Sequence, residues 1–208
     1  LMLKGLTAQY LLRRTYRVQR GDFVLVHAAV GGVGLILCQW AKALGAKVIG
    51  IVGSAAKAAL ARKNGCGHVL VLGRDPIVDS VKKITKGKGV SVVYDSLGKD
   101  TFFESLDCLA PLGMMVSYGN ATGPAPAFSP LELSKRGSLF VTRPSLFAYI
   151  ASRADLDASA RETFKMISSG KVKLRINQRY ALKDAAQAHR DLEARKTTGS
   201  TVLIPGAA

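Results

Sequence analysis

Apolar residues fall in short unbroken runs along this chain, separated by stretches with helical spacing. The runs are Phe23–His27, Ala46–Val52, His68–Leu72, Val90–Tyr94, Met114–Tyr118 and Ser138–Thr142. Continuous rather than alternating apolar character is what a strand covered on both faces requires, and such strands build parallel sheets. Between the runs the spacing predicts helices. One covers Thr7–Val18, where Leu6, Tyr10, Leu11 and Arg14 recur at helical intervals. A second opens in the glycine-rich turn after His27 and ends near Leu44-Gly45. Others cover Ala55–Lys63, a segment reaching Lys86 with Asp75 as N-cap and Pro76 at its first position, Asp100–Cys108, and Asp155–Ser169. Alternating strands and helices imply an α/β fold with a doubly wound parallel sheet and right-handed crossovers. Beyond Gly170 the pattern changes: Arg179–Ala181 reads as a strand, Lys183–Ala194 as a helix and Thr201–Ile204 as a last strand. Residues 1–178 are therefore expected to form one domain and 179–208 a β-α-β tail.

One turn carries chemistry. In Val24-Leu25-Val26-His27-Ala28-Ala29-Val30-Gly31-Gly32-Val33-Gly34 an apolar strand runs into glycines that open a helix. Read from Ala29, the pattern is Ala-x-Gly-x-x-Gly, a variant of the dinucleotide-binding fingerprint in its required strand–turn–helix context. A small residue at Ala29 permits the tight turn, Gly31 lets backbone approach a pyrophosphate, and Gly34 lets helix pack on strand. The helix amides then face the phosphates, aided by the helix dipole. A site for NAD usually ends the next strand with a carboxylate for the ribose 2′-hydroxyl. Here that place is Gly53-Ser54, with Lys57 one turn on and no carboxylate nearby. A hydroxyl, free amides and an ammonium attract a 2′-phosphate, so the cofactor expected is NADP(H). The plainer alternative is that Ser54 caps the next helix and Lys57 is a solvated lysine.

Composition adds bounds. The 208 residues, 48% of them hydrophobic, suffice for one well-packed α/β domain. Cys38, Cys66 and Cys108 are scattered without C-x-x-C spacing, which suggests neither a disulfide framework nor a metal site and fits a reducing cytoplasm. The apolar run Phe23–Trp40 is broken by His27 and glycines, so no membrane partner is expected. The net charge of +16 raises the question of nucleic acid, yet the basic residues are spread along the chain without interleaved aromatics. Specific nucleic-acid binding is therefore not expected, though a non-catalytic nucleotide- or RNA-binding module stays open as an alternative. His27 is read as a structural histidine, and Asp95 as a turn or capping residue rather than a base.

The segments Ala28–Gly34, Gln39-Trp40-Ala41-Lys42, Val93-Tyr94-Asp95-Ser96, Ser117-Tyr118-Gly119-Asn120, Val141-Thr142-Arg143-Pro144 and Gly199–Pro205 resemble, in order and across essentially the whole chain, the NADPH-dependent quinone oxidoreductases. These are the zinc-free, zeta-crystallin-like members of the medium-chain dehydrogenase/reductase superfamily. The resemblance implies a Rossmann cofactor domain, preceded in the family by a GroES-like catalytic domain. The chain is thus expected to be a fragment whose tail belongs to an incomplete second domain. It implies that Val30, Gly31, Gly32 and Val33 hold the pyrophosphate, and that Gly53, Ser54, Lys57 and Arg195 hold the 2′-phosphate. Ser96, Gly119 and Asn120 border the ribose and nicotinamide, with Thr7 and Tyr10 on the flanking helix. Leu72 stands where the family often has a tyrosine. The implied activity is hydride transfer from NADPH to a quinone-like acceptor, with no catalytic acid or base assigned. An enoyl or alkenal reductase is the neighbouring alternative. A homodimer is expected through sheet edges near Met114–Tyr118 and Ser138–Thr142, and a tail that is loosely packed or makes substitute contacts.

Overall fold

The computed structural model describes residues 1–206; the last two residues of the expected tail, 207–208, lie outside the described residues. Helix α1 (Met2–Tyr10) leads through a π-helical turn (Leu11–Thr15) to strand β1 (Phe23–Val26). Then follow α2 (Gly32–Ala43), β2 (Lys47–Val52), α3 (Ala58–Lys63, behind a 3-10 turn Ala55–Lys57) and β3 (Cys66–Val71). The second half comprises α4 (Ile77–Ile84), β4 (Val90–Asp95), α5 (Phe102–Asp107), β5 (Leu109–Ser117), α6 (Leu131–Lys135) and β6 (Phe140–Thr142). After α7 (Leu146–Tyr149) and α8 (Arg153–Ser168), the chain ends in β7 (Ile176–Ala181), α9 (Ala185–Glu193) and β8 (Ser200–Ile204).

The six-stranded sheet has order β3-β2-β1-β4-β5-β6 and every pairing is parallel, a Rossmann fold. The strand order reverses between β1 and β4, so their carboxyl ends open a crevice where such sheets take ligands. The unbroken apolar runs are explained by two cores. Val24 and Val26 join one face, with α1 and α2, while Leu25 joins the other with α4 and α5. Alternate residues of one strand thus serve opposite faces, and none can be polar. Strands β7 and β8 pair parallel in a separate two-stranded sheet.

Several expectations are corrected. The first helix starts at Met2 and ends at Thr15, not Thr7–Val18; the widened π turn lets both Leu11 and Leu12 bury, and Tyr16 is already extended. Asp75 does not cap α4. Its carboxylate turns back to accept from the Val71 amide at the end of β3 (2.8 Å), while Pro76 sits at the N-cap with no side-chain bond. Helices α6 and α7, a single turn or so each, occur where no periodicity predicts them. Strand β5 is flanked on both sides by β4 and β6, so on that side of the sheet the free edge is β6 alone. No helix among the described residues is long and apolar enough to cross a membrane.

Candidate functional site

The glycine turn is built by close backbone approach. Ala28 takes a positive φ of 48°, and the Gly31 amide donates back to the Ala28 carbonyl (2.8 Å). A Cβ on Gly34 would lie 2.2 Å from the Ala28 oxygen, and one on Gly31 3.1 Å from it. Ala29 is tied to the Ile51 carbonyl (3.0 Å), and a Cβ on Gly50 would collide with the Ala29 Cβ and the Cys66 Sγ. Gly50 is therefore as much a part of the turn as the fingerprint glycines, a role hidden because its partners lie in the turn after β1 and on β3. Gly31 caps α2, whose first amides are left without side-chain partners and available to an anion.

Beside this turn, at the end of β2, a Cβ on Gly53 would meet nothing within 4 Å. The Ser54 side chain makes no capping bond, so the capping alternative for it fails and its hydroxyl is free. Lys57 donates to the Arg195 carbonyl (2.5 Å) and the Thr197 carbonyl (3.3 Å). Burial, and after it the Arg195 charge, hold the Lys57 ammonium below the usual lysine range. The structure thus brings two cations together at the corner where sequence expects a 2′-phosphate. An anion there relieves their repulsion.

The segment that carries Arg195 then crosses the turn. The Gly199 amide donates to the Val30 carbonyl (2.8 Å), and Lys4 donates to the Ser200 hydroxyl (3.1 Å). Between them is a cavity of about 400 Å³ lined by Lys4, Gly32, Val33, His189, Leu192 and Thr201, among others. Lys4 escaped sequence reasoning, because its contact is with a residue near the other end of the chain. Burial lowers its pKa, and a Cβ on Gly32 would stand 2.7 Å from its ammonium.

On the far side of the crevice, the β4 and β5 loops interlock through backbone. The Ala121 amide donates to the Ser96 carbonyl (3.1 Å), and a Cβ on Gly119 would come within 2.5 Å of that oxygen. Ser96, Gly119 and Asn120 therefore share one ledge. Asp95 underpins it. Fully buried, its carboxylate accepts from the Leu97 amide (2.6 Å), the Gly98 amide (3.1 Å), Thr101 (2.6 Å) and Ser105 (3.2 Å). This is the turn role expected of it. His27 is equally buried, its Nε2 2.9 Å from the Ser105 hydroxyl. Since Ser105 donates to Asp95, the imidazole must donate to Ser105, which fixes the Nε2–H tautomer. Burial pushes the ring toward its neutral form against the pull of Asp95. His27 is structural.

Beyond the ledge, Thr7 and Tyr10 line a cavity of about 480 Å³ with Tyr118, Arg143, Pro144 and Phe147, among others. Tyr10 stacks on Tyr149 at 4.5 Å. Burial, then Tyr149, raise its phenol to about 12 against the opposing charge of Arg143. Arg143 and Tyr149 are further residues that sequence reasoning missed. Among the described residues no three His, Cys, Asp or Glu side chains converge as a metal site would require.

A family profile described as "Zinc-binding dehydrogenase" matches residues 32–164. The quinone oxidoreductase of Salmonella typhimurium is 56% identical over 98% of this chain, which covers 63% of that protein. A 2-haloacrylate reductase from a Burkholderia species is 48% identical over the whole chain, which covers 62% of it. The crystal structure of Escherichia coli quinone oxidoreductase complexed with NADPH matches with a TM-score of 0.94 at 52% identity, over 98% of this chain and 63% of that one. The chain thus spans somewhat less than two thirds of the length of these relatives.

Proposed function

Because the chain belongs to the zinc-binding dehydrogenase family, we propose that it is the NADPH-binding portion of an oxidoreductase that reduces quinone-like acceptors. The observation that carries the cofactor reading is the corner at the end of β2. It has open space over Gly53, a free Ser54 hydroxyl, and Lys57 beside Arg195. NADPH, when bound, supplies the hydride. The chain's own contribution is positional. The Val30–Val33 turn and the start of α2 hold the pyrophosphate, Lys57 and Arg195 hold the 2′-phosphate, and Ser96, Gly119 and Asn120 shape the ledge for ribose and nicotinamide. Thr7 and Tyr10 close the nicotinamide side.

Residues 1–178 act in this reading as the cofactor domain, and 179–206 as the tail that returns across it. A second reading, reduction of a conjugated alkene, is favoured by the 48% identity to a 2-haloacrylate reductase. The three free, buried cysteines fit a cytoplasmic protein. A homodimer would pair through β6, whose Phe140 is 55% exposed on the free edge.

Calorimetric titration with NADPH and with NADH at moderate salt tests the proposal. NADPH is expected to bind at least about tenfold more tightly, a difference of ~1.4 kcal/mol, and Lys57→Ala to erase most of that gap. Equal affinity for the two cofactors, or binding of neither, overturns it.

A further inference from the structure

A third cavity, of about 430 Å³, is lined by Lys42, Lys63, Lys171, Lys173 and Arg175, with Gln39, Ala43, Asn64, Gly65 and Gly170 completing it. It holds five cationic residues and no carboxylate. None of the five takes part in any ion pair found among the described residues. Lys42 and Lys63 sit in the last turns of α2 and α3, where the negative ends of the helix dipoles account for a charge or so. They do not account for three more cations brought to the same place by the segment between α8 and β7.

That segment is held in position. Gln39 donates through Nε2 to the Lys173 carbonyl (3.1 Å) and accepts from the Lys173 amide (2.9 Å). Val172 is buried, while its neighbours Lys171 and Lys173 are exposed. The Arg175 carbonyl accepts from the Ser200 amide (2.8 Å), which anchors that residue to β8. Its Nε is buried and has no protein partner. The cavity lies at the opposite end of α2 from the glycine turn, and twelve residues of helix set it about 18 Å away. It is not the cofactor crevice.

We propose that this cavity is a second anion site, for a compact ligand carrying two or more phosphate groups. The cations surround a space larger than one phosphate needs, and Ala43 is the only apolar side chain lining it. Lysines supply point charges to phosphate oxygens, and the Arg175 guanidinium supplies directed donors.

Titration of the full chain with inorganic tripolyphosphate at about 0.1 M salt, followed by calorimetry, tests this. Binding at this site is expected to saturate at one ligand per chain. It should weaken at least tenfold in the double variant Lys171→Ala/Lys173→Ala and in Arg175→Gln, and stay unchanged in Lys57→Ala. NADPH affinity should be unaltered in the first two variants, which separates this site from the cofactor reading. Thermal melting checks that each variant folds; if the double variant does not, Arg175→Gln decides. The proposal falls if tripolyphosphate never saturates, if the cavity variants bind it like the parent chain, or if Lys57→Ala loses it instead. It falls also if a single-stranded oligonucleotide binds through these residues while tripolyphosphate does not.

Discussion

Two β-α-β units of this chain share one local pattern and have opposite fates. In β1-α2-β2 the strands lie inside a six-stranded sheet, and Val24, Leu25, Val26 and Leu37 are sealed from solvent. In β7-α9-β8 the sheet ends at two strands; Ile176 remains 48% exposed and Leu192 57%, and Ala188 is the one buried residue of α9. The first unit is held by apolar burial, worth ~1.5–3 kcal/mol per large side chain. The second is fastened chiefly by polar contacts, Lys57 to Arg195, Gly199 to Val30 and Lys4 to Ser200. Such hydrogen bonds contribute only about 1 kcal/mol each. An element attached in this way belongs to the low end of local stability. The tail therefore lays Arg195 beside Lys57 through contacts that are weak next to the apolar packing of the sheet.

The contrast can be broken by mutation. The largest effect is expected at the core: Leu25→Ala should cost about 3 kcal/mol of unfolding free energy in a denaturant titration, whereas Leu192→Ala should change it by less than ~0.5 kcal/mol. Comparable losses at the two positions would put the tail inside the cooperative unit. Gly34→Ala is expected next, at about 2–3 kcal/mol, because its new Cβ meets the Ala28 backbone oxygen and only backbone movement relieves the clash. NADPH affinity should fall with it.

Hydrogen exchange sharpens the same comparison. Amides of Ala185–Glu193 should exchange at least tenfold faster than those of β1 and β4, and Lys57→Ala should speed those near Gly199 further. Full protection of α9 in the parent chain would refute the weak attachment.

The smallest effect concerns pH. The buried His27 has a folded pKa below its unfolded value, so the unfolded chain binds more protons in acid. Its contribution is therefore neutral above about pH 6.5 and erodes stability as pH falls below that value. In His27→Gln this part of the acid slope should vanish, a difference on the order of 1 kcal/mol at pH 5. Identical slopes in the two proteins would show that the imidazole does not stay neutral.

Much of the site was legible because its demands are local. The Ala29–Gly34 spacing, and the lack of a carboxylate after β2, are readable from a dozen neighbouring residues. So are the strands of the main sheet, above all the inner ones such as β1, since a strand covered on both faces cannot hide its composition. The residues that sequence reading missed all act across the chain. Lys4 meets Ser200, Tyr10 meets Tyr149, and Gly50 is needed because Ala29 in the turn and Cys66 on β3 crowd it. Asp75 carries every mark of a helix cap, yet the unpaired Val71 amide at the end of β3 competes for its carboxylate and wins.

By itself, then, the sequence determined the strands of the main sheet and most of the longer helices, their parallel arrangement and the close packing of the glycine turn. These follow from backbone sterics and from the hydrophobic cost of exposing unbroken apolar runs. Only the tertiary structure decided that Arg195 reaches Lys57, that the tail lies over the turn, and that five cations surround one cavity far from the crevice. Those arrangements depend on contacts between residues distant along the chain, and no local pattern encodes which of many surface cations will meet.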